Sequence, residues 1–240
     1  MRADIARDSE SAPDSTSNNL IAPVWHTAVL LFVLAGLTIL GWLAQRHAHG
    51  NALNSVPPPR LVPLQIQAIV FEWMILAWVW FGIRRKGVRI GELVGGRWLN
   101  AKAIVIDVLL GGGLWALWTA ISRAANLFFG HNTDTIPYPA NLLEGLLAIA
   151  VAVSAGICEE IVFRGYLLQQ FRALTRSAAA AVILQAAVFG LPHVYQGPKV
   201  GIMAGVYGIF FALLALWRGS LRPGIVAHAG SDIAARFLRI

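Results

Sequence analysis

Two adjacent carboxylates and an arginine interrupt an apolar stretch that reads Ser-Ala-Gly-Ile-Cys-Glu-Glu-Ile-Val-Phe-Arg over residues 154–164. Successive residues of an α-helix point about 100° apart, so Glu159 and Glu160 face different directions. Glu160 and Arg164 are four residues apart with the acid first, which favours an intrahelical ion pair. Glu159 then has no local partner, and such a carboxylate in an apolar environment suits a general base. The alternative is that all three side chains only hold helices together.

Two histidines and an aspartate occupy the apolar segments that follow. His193 closes the segment Phe-Gly-Leu-Pro-His, where a lone histidine is more often structural than catalytic. His228 and Asp232 are four residues apart and therefore project from one helical face. Ionisable groups inside a membrane segment are costly, so this concentration of six polar side chains predicts a shared, water-filled functional cavity.

The other ionisable residues in apolar segments are isolated. Glu72, Asp107 and Glu144 are single acids, and we interpret each as a helix-end or interhelical polar contact. His26 is near the end of an apolar segment and is expected at the membrane interface. None of these four residues is predicted to take part in chemistry.

The composition requires a lipid environment for the elements that carry these residues. Hydrophobic residues make up 57% of the 240 residues and charged residues only 13%, too few to cover a soluble fold of this size. The net charge is +7, and the basic residues lie mostly between the apolar segments. Membrane topology and binding to anionic lipid explain this distribution better than binding to nucleic acid does. The single cysteine, Cys158, excludes an internal disulfide.

The predicted fold is all-α, a polytopic membrane helix bundle of about seven transmembrane helices, within a range of six to eight. Each apolar segment approaches the roughly 20 residues that cross a bilayer. The predicted spans are 24–44, 64–83, 103–121, 142–162, 178–193, 200–217 and 221–238.

The predicted domain organisation is simple. Residues 1–20 are polar and are interpreted as a disordered tail, and residues 21–240 as one transmembrane domain. Twelve Lys and Arg fall on one side of the predicted bundle and six on the other, with Arg164 counted in neither group. Because basic residues favour the cytoplasmic side, the N-terminus is predicted to be cytoplasmic.

The three motifs in order, Glu159-Glu160-x-x-x-Arg164, Phe189-x-x-x-His193 and His228-x-x-x-Asp232, resemble those of the CAAX protease and bacteriocin-processing family, also called the abortive-infection family. Its members are intramembrane glutamate peptidases. Eukaryotic members cleave the last three residues from prenylated proteins, and bacterial members are often called bacteriocin-immunity proteins. The resemblance covers roughly residues 142–238, which we interpret as a peptidase-like core.

The resemblance implies a role for each matching residue. Glu159 and His193 are expected to activate a water for attack on a peptide carbonyl, and Glu160 and Arg164 to form a structural ion pair. His228 and the residue four positions later are expected to stabilise the oxyanion. Prenyl-processing members carry Asn at that last position, whereas this chain has Asp232. An ionised Asp would repel an oxyanion, so Asp232 must either be protonated or orient His228.

These observations predict an intramembrane endopeptidase that hydrolyses a membrane-associated protein or peptide without a cofactor or metal. A composition rich in Ala, Trp and Arg favours a bacterial plasma membrane. One alternative is a zinc peptidase that uses the same residues, because carboxylate and imidazole are zinc ligands. Another is a non-catalytic immunity or scaffold protein, and a proton relay is a third.

The predicted spans also create a conflict in depth. Counting at 1.5 Å per residue places His193 about 10 Å nearer the outer face than Glu159, although both must reach one water. Helix tilt, a break at Pro192 or a deeper start of the fifth helix would each remove this offset.

Overall fold

The structure is a computed structural model that describes residues 20–50, 60–96, 98, 100–130 and 138–238. All of the predicted polar tail except Leu20 lies outside the described residues. The described parts of the chain are helices, turns and connecting segments without a β-strand, which confirms the all-α prediction. The assignment of residues 21–240 to a single domain stays a prediction.

The helices follow the apolar segments closely. In chain order the elements are α1 (Val24–Gly50), α2 (Leu61–Arg84), α3 (Ile90–Val94), α4 (Ala101–Phe129), α5 (Leu142–Glu159), a π-helical segment (Glu160–Leu167), α6 (Leu168–Thr175), α7 (Ala178–Gly190), a 3₁₀ segment (Leu191–Gln196), α8 (Pro198–Arg218) and α9 (Arg222–Phe237).

Six helical stretches in the described residues are long and apolar enough to cross a membrane, a number within the predicted range of six to eight. The fourth runs unbroken through α5, the π-helical segment and α6, from Leu142 to Thr175, and is longer than the predicted span 142–162. The predicted seventh span corresponds to α9, which is helical but only 16 residues long and is not among the six.

Polar residues begin three of the long helices. Asn100, Asn141 and Ser177 each accept a hydrogen bond from a backbone N–H in the first turn of α4, α5 and α7 respectively. Glu144 also reaches back to accept from the Ala140 N–H at 2.8 Å. Glu144 therefore stabilises a helix end, in agreement with its predicted role.

Glycines bring the helices that carry the site close together. A Cβ atom on Gly190 of α7 would lie 2.6 Å from the Gly201 carbonyl oxygen of α8, so only glycine fits there. Where α5 crosses α9, a Cβ on Gly156 would lie 3.0 Å from the Ala229 nitrogen. Small residues allow such close backbone approach in membrane bundles, and here they fix α7 beside α8 and α9 beside α5.

His26 packs inside the bundle, and its position at the membrane interface stays a prediction. Its side chain is fully buried, with Nδ1 2.9 Å from the Tyr166 hydroxyl and Nε2 2.8 Å from the Trp78 carbonyl oxygen. The hydroxyl of Thr27 lies 2.8 Å from the same Tyr166 oxygen. The N-terminal end of α1 is thereby bound to the π-helical segment through hydrogen bonds that its apolar sequence context did not reveal.

Candidate active site

The adjacent acids lie at the junction between α5 and the π-helical segment. Glu159 is the last residue of α5, and Glu160 is the first of eight π-helical residues, all of them buried. A π-helix closes hydrogen bonds between residues five apart, which widens the helix and shifts the side chains that follow; such segments are rare and often occur at functional sites. The apolar pattern of the sequence predicted a continuous α-helix here and gave no sign of the change.

Glu160 has two partners at a single oxygen. Its Oε1 atom lies 3.0 Å from Arg164 Nη1 and 3.0 Å from His228 Nδ1. Its Oε2 atom is buried without a hydrogen-bond partner among the described residues and packs against Gly224, where a Cβ would lie 2.9 Å away. The acid that was expected to pair only with Arg164 therefore also holds the histidine of α9.

The Arg164 guanidinium is enclosed by aromatic rings. Its central carbon lies 4.2 Å from the ring centroid of Phe189, 5.3 Å from that of Phe211 and 5.9 Å from that of Phe163. No nitrogen of the group has a well-aligned hydrogen-bond partner among the described residues, so the contact with Glu160 is an ion pair of poor hydrogen-bond geometry. Cation–π attraction at these distances stabilises the buried positive charge of Arg164 in place of hydrogen bonds.

The imidazole of His228 lies between the two adjacent acids. While Nδ1 contacts Glu160, Nε2 lies 3.7 Å from Glu159 Oε2. The residue is 5% exposed, and the edges or faces of Phe189, Tyr207 and Phe211 surround it. Glu159 was expected to have no local partner, and the partner it has comes from α9, 69 residues further along the chain.

His193 reaches the site through a break in helix geometry. After α7 ends at Gly190, the chain continues as the 3₁₀ segment, and His193 Nδ1 lies 2.9 Å from the Phe189 carbonyl oxygen. A carbonyl oxygen only accepts, so Nδ1 carries the hydrogen, and Nε2 of the neutral ring is left as an acceptor. The structure thus replaces the regular helix, on which the predicted depth offset depended, with a break beside Pro192.

Two cavities meet at His193. The larger, of about 710 Å³, is lined by Glu159, His193 and mostly apolar side chains of α1 and α2, among them Leu34, Leu37, Leu40, Ala68 and Phe71. The smaller, of about 290 Å³, is lined by His193, His228 and Asp232 together with residues of α4 and α8. Phe189 and His193 line both. The four residues predicted to be catalytic are therefore divided between two connected sides of one site.

Asp232 stands apart from the hydrogen-bonded cluster. Its carboxylate makes no hydrogen bond and no close ion pair with a described residue, although it lines the smaller cavity beside His193 and His228. The neighbouring Ser231 hydroxyl bonds instead to the Ala227 carbonyl oxygen at 2.8 Å and to the Tyr207 hydroxyl at 2.9 Å. Asp232 is thus placed where it can meet a ligand.

Glu72 is a residue of this site that the sequence argument missed. It lines the larger cavity with Glu159, and its Oε2 atom is buried without a hydrogen-bond partner among the described residues. It also interacts electrostatically with Glu159, His228 and Asp232. The available signal was an unpaired acid inside an apolar helix, which is itself a reason to expect function.

The zinc alternative has little geometric support. Within the described residues, no group of three or more His, Cys, Asp or Glu side chains is arranged so that it could hold a metal ion. Both ring nitrogens of His228 also face carboxylates, Nδ1 towards Glu160 and Nε2 towards Glu159.

Residues 141–234 match the sequence model of a family described as type II CAAX prenyl endopeptidase Rce1-like. The match confirms the resemblance that the three motifs indicate, and it contains all six residues of the predicted site. No curated protein and no solved structure matches the chain. The chain is thus an integral membrane protein with six apolar helices of spanning length, and its core is similar to a family of membrane proteases.

Proposed function

We propose that the protein is an intramembrane endopeptidase that hydrolyses a peptide bond in a membrane-associated protein or peptide. The observation that carries the proposal is the imidazole of His228 between two adjacent carboxylates, 3.0 Å from Glu160 and 3.7 Å from Glu159, where two cavities meet. A reaction that moves protons and stabilises a developing charge accounts for this many ionisable groups in an apolar bundle.

Glu159 and His193 are proposed to activate the attacking water. Both line the larger cavity, and the Nε2 lone pair of His193 can accept a proton or a hydrogen bond from that water. The water oxygen adds to the peptide carbonyl carbon while Glu159 takes one proton. The carbon–nitrogen bond then breaks, and the same proton passes from Glu159 to the leaving amine, so no other reactant is consumed.

His228 and Asp232 are proposed to stabilise the oxyanion from the side of the smaller cavity. Glu160 accepts the Nδ1–H of His228, and an imidazolium between two carboxylates also carries an Nε2–H, which can turn from Glu159 towards the negative oxygen. Asp232 lines the same cavity and donates a second hydrogen bond if it carries a proton. Arg164 does not touch the substrate and fixes Glu160 from within its aromatic enclosure.

The proposed substrate enters from the lipid side. The larger cavity is lined mainly by apolar residues of α1 and α2, so it suits an apolar side chain or a lipid attached to the substrate. We place the protein in a bacterial plasma membrane with a cytoplasmic N-terminus, and a non-catalytic immunity protein is the competing class. Bacteriocin immunity would be one physiological use of such a peptidase.

The experiment that tests the activity compares the membrane peptidome of cells that express the wild type with that of cells that express Glu159→Gln. We expect peptides that appear only with the wild type, detected by mass spectrometry. Glu92→Gln is a matched control, because Glu92 pairs with Arg89 on an exposed surface. Identical peptidomes from the wild type and Glu159→Gln would refute the proposal, and cleavage that a chelator abolishes would favour the zinc alternative.

The proposed orientation has its own test. Cysteines introduced at exposed positions, Glu92→Cys between α2 and α4 and Ala140→Cys before α5, should differ in their reaction with a membrane-impermeant thiol reagent in intact cells. We expect labelling at position 140 only, because the basic residues around 84–102 favour the cytoplasm. The native Cys158 is buried and adds little background. Labelling at position 92 alone would show that the orientation is the reverse of the proposed one.

A further inference from the structure

The smaller cavity is also lined by a basic side chain that is not among the candidate catalytic residues. Lys199, near the start of α8, lines this cavity together with Ser122 and Asn126 of α4. None of these three residues is needed for the proposed hydrolysis. They extend the site beyond His193, His228 and Asp232, to a region that sequence motifs do not mark.

In the described part of the chain, no carboxylate balances the charge of Lys199. Its Nζ atom donates to Asn126 Oδ1 at 2.6 Å and to the Gly130 carbonyl oxygen, and both of these acceptors are neutral. Among the described residues no acid lies within ion-pair distance of it. An ammonium group held at the wall of a cavity by neutral acceptors remains available to an anionic ligand.

A second basic residue lines a neighbouring cavity. Arg123 lines an adjoining cavity of about 110 Å³ that shares Ser122 and Asn126 with the smaller cavity. Asp232 is the one acid that lines either cavity in the described part of the chain. Two positive groups against one acid make this end of the site attractive to a carboxylate, particularly if Asp232 is protonated as proposed.

We propose that Lys199 binds a carboxylate on the leaving-group side of the substrate. The inference rests on the proposed peptidase function, because the scissile bond would lie beside His193, where the two cavities meet. The larger, apolar cavity then takes the membrane-embedded part of the substrate. The smaller cavity, near the lower end of the ~300–1,000 Å³ range of ligand pockets, takes a short segment whose carboxylate reaches Lys199.

Binding to the Glu159→Gln protein tests this without turnover. The probes are two fluorescent peptides with an S-farnesyl cysteine followed by three apolar residues, one with a free C-terminal carboxylate and one with a C-terminal amide. We expect the carboxylate peptide to bind about tenfold to a hundredfold more tightly, as for a charge-assisted hydrogen bond. The additional change Lys199→Met should remove this preference, and Lys199→Arg should keep part of it.

The controls separate a local effect from unfolding. Lys102→Met removes a lysine at the start of α4, which is exposed and does not line either cavity, and should leave the preference unchanged. The preference for the carboxylate peptide over the amide peptide is first measured on the protein that keeps Lys199. That measurement therefore does not depend on whether a Lys199 variant folds. Equal binding of the two peptides there, or an equal preference in Lys199→Met, would overturn the inference. Absence of binding by both peptides would overturn it as well.

A third peptide distinguishes the source of the carboxylate. It carries a C-terminal amide with Glu as its last residue, so its only added anion is a side chain. Tight binding that depends on Lys199 would show that an acidic side chain is accepted, whereas weak binding would restrict the site to the chain terminus. If the protein cleaves peptides but does not prefer the carboxylate peptide, only the role of Lys199 is refuted. Identical peptidomes for the wild type and Glu159→Gln would instead refute the peptidase function.

Discussion

Two buried acid–arginine pairs lie in different regions of the molecule and are built differently. Asp107 of α4 is completely satisfied, because Oδ1 accepts from Arg218 Nε at 2.9 Å and Oδ2 accepts from Trp98 Nε1 at 2.8 Å. Glu160 instead shares one oxygen between Arg164 and His228 and leaves the other without a hydrogen-bond partner among the described residues. The first pair ties α4 to the end of α8, and the second holds the candidate active site.

The difference is the one expected between an acid that only stabilises the fold and an acid that also positions a group for chemistry. A buried polar group that is satisfied by aligned donors stabilises the contact between helices and has no capacity for a further partner. In the second pair, Arg164 lies 4.2 Å from the Phe189 ring centroid and lacks aligned hydrogen bonds to described residues. Burial alone, which is nearly complete for Asp107 and Glu160 alike, does not distinguish the two roles.

The largest effect is expected from the acid that belongs to neither pair. Glu159→Gln should lower turnover by about a hundredfold to ten-thousandfold, the usual contribution of a general base. Its side chain is 28% exposed, so the melting temperature in detergent should change little. Cleavage of a peptide found in the peptidome comparison measures the rate, with Glu92→Gln as the control. A Glu159→Gln protein that keeps most of the wild-type rate would remove this residue from the mechanism.

Breaking the second pair should affect both stability and rate. Glu160→Gln leaves Arg164 buried without a charge partner, at a cost of about 3–5 kcal/mol in the free energy of unfolding. It also weakens the contact that holds His228 Nδ1, so the folded fraction should turn over more slowly. Thermal unfolding and the cleavage rate measure the two effects. Unchanged melting with activity lost would assign the catalytic role to Glu160 in place of Glu159.

A second variant separates position from charge in that pair. Gly224→Ala keeps Glu160 and Arg164 but introduces a Cβ about 2.9 Å from Glu160 Oε2, so the carboxylate must move. We expect a lower cleavage rate with a smaller loss of stability than Glu160→Gln causes. Gly230→Ala is the matched control on the same helix, because its Cβ would meet no other atom within 4 Å. Equal rates for both alanine variants would show that the position of Glu160 is unimportant.

Breaking the first pair should affect stability alone. Asp107→Asn replaces an ionised acceptor of two hydrogen bonds, which should cost about 1–3 kcal/mol in the free energy of unfolding. Arg218 is 32% exposed on its side chain, so water can compensate it in part. The cleavage rate per folded molecule should stay at the wild-type value. A large fall in that rate, without loss of folded protein, would end the distinction between the two pairs.

Local spacing and hydropathy predicted much of this molecule. Apolar segments of about 20 residues located the six spanning helices, because a bilayer imposes that length. The four-residue spacing also placed Glu160 beside Arg164, although the exact helix geometry differs. Both results depend on residues that are close in the sequence, where helix geometry alone determines the distance.

Contacts between distant segments could not be predicted in the same way. The position of His228 between two acids depends on how α9 crosses α5 at Gly156, and the aromatic enclosure of Arg164 needs rings from α7 and α8. The π-helical segment changes side-chain directions without a compositional signal, whereas the 3₁₀ segment contains Pro192, where a break was one of the options. Glu72 was missed for a related reason, since its role depends on a cavity that forms only when α2 packs beside α5.

The smallest effect is expected at Asp232, which contributes to neither pair. It makes no hydrogen bond to a described residue, so its loss should not affect folding. If a protonated Asp232 donates to the oxyanion, Asp232→Asn should keep the rate within about tenfold, because the amide of Asn also donates. The rate of the variant should also fall less at alkaline pH than that of the wild type, since Asn has no proton to lose.

If Asp232 is instead an ionised partner of His228, the Asp232→Asn variant should lose much more of the rate, because Asn cannot stabilise an imidazolium. A pH–rate profile of both proteins decides between the two roles, and Asp232→Ala, which cannot donate, should be slower than Asp232→Asn. A folded but inactive Asp232→Asn would rule out the donor role and would add Asp232 to the charged network around His228.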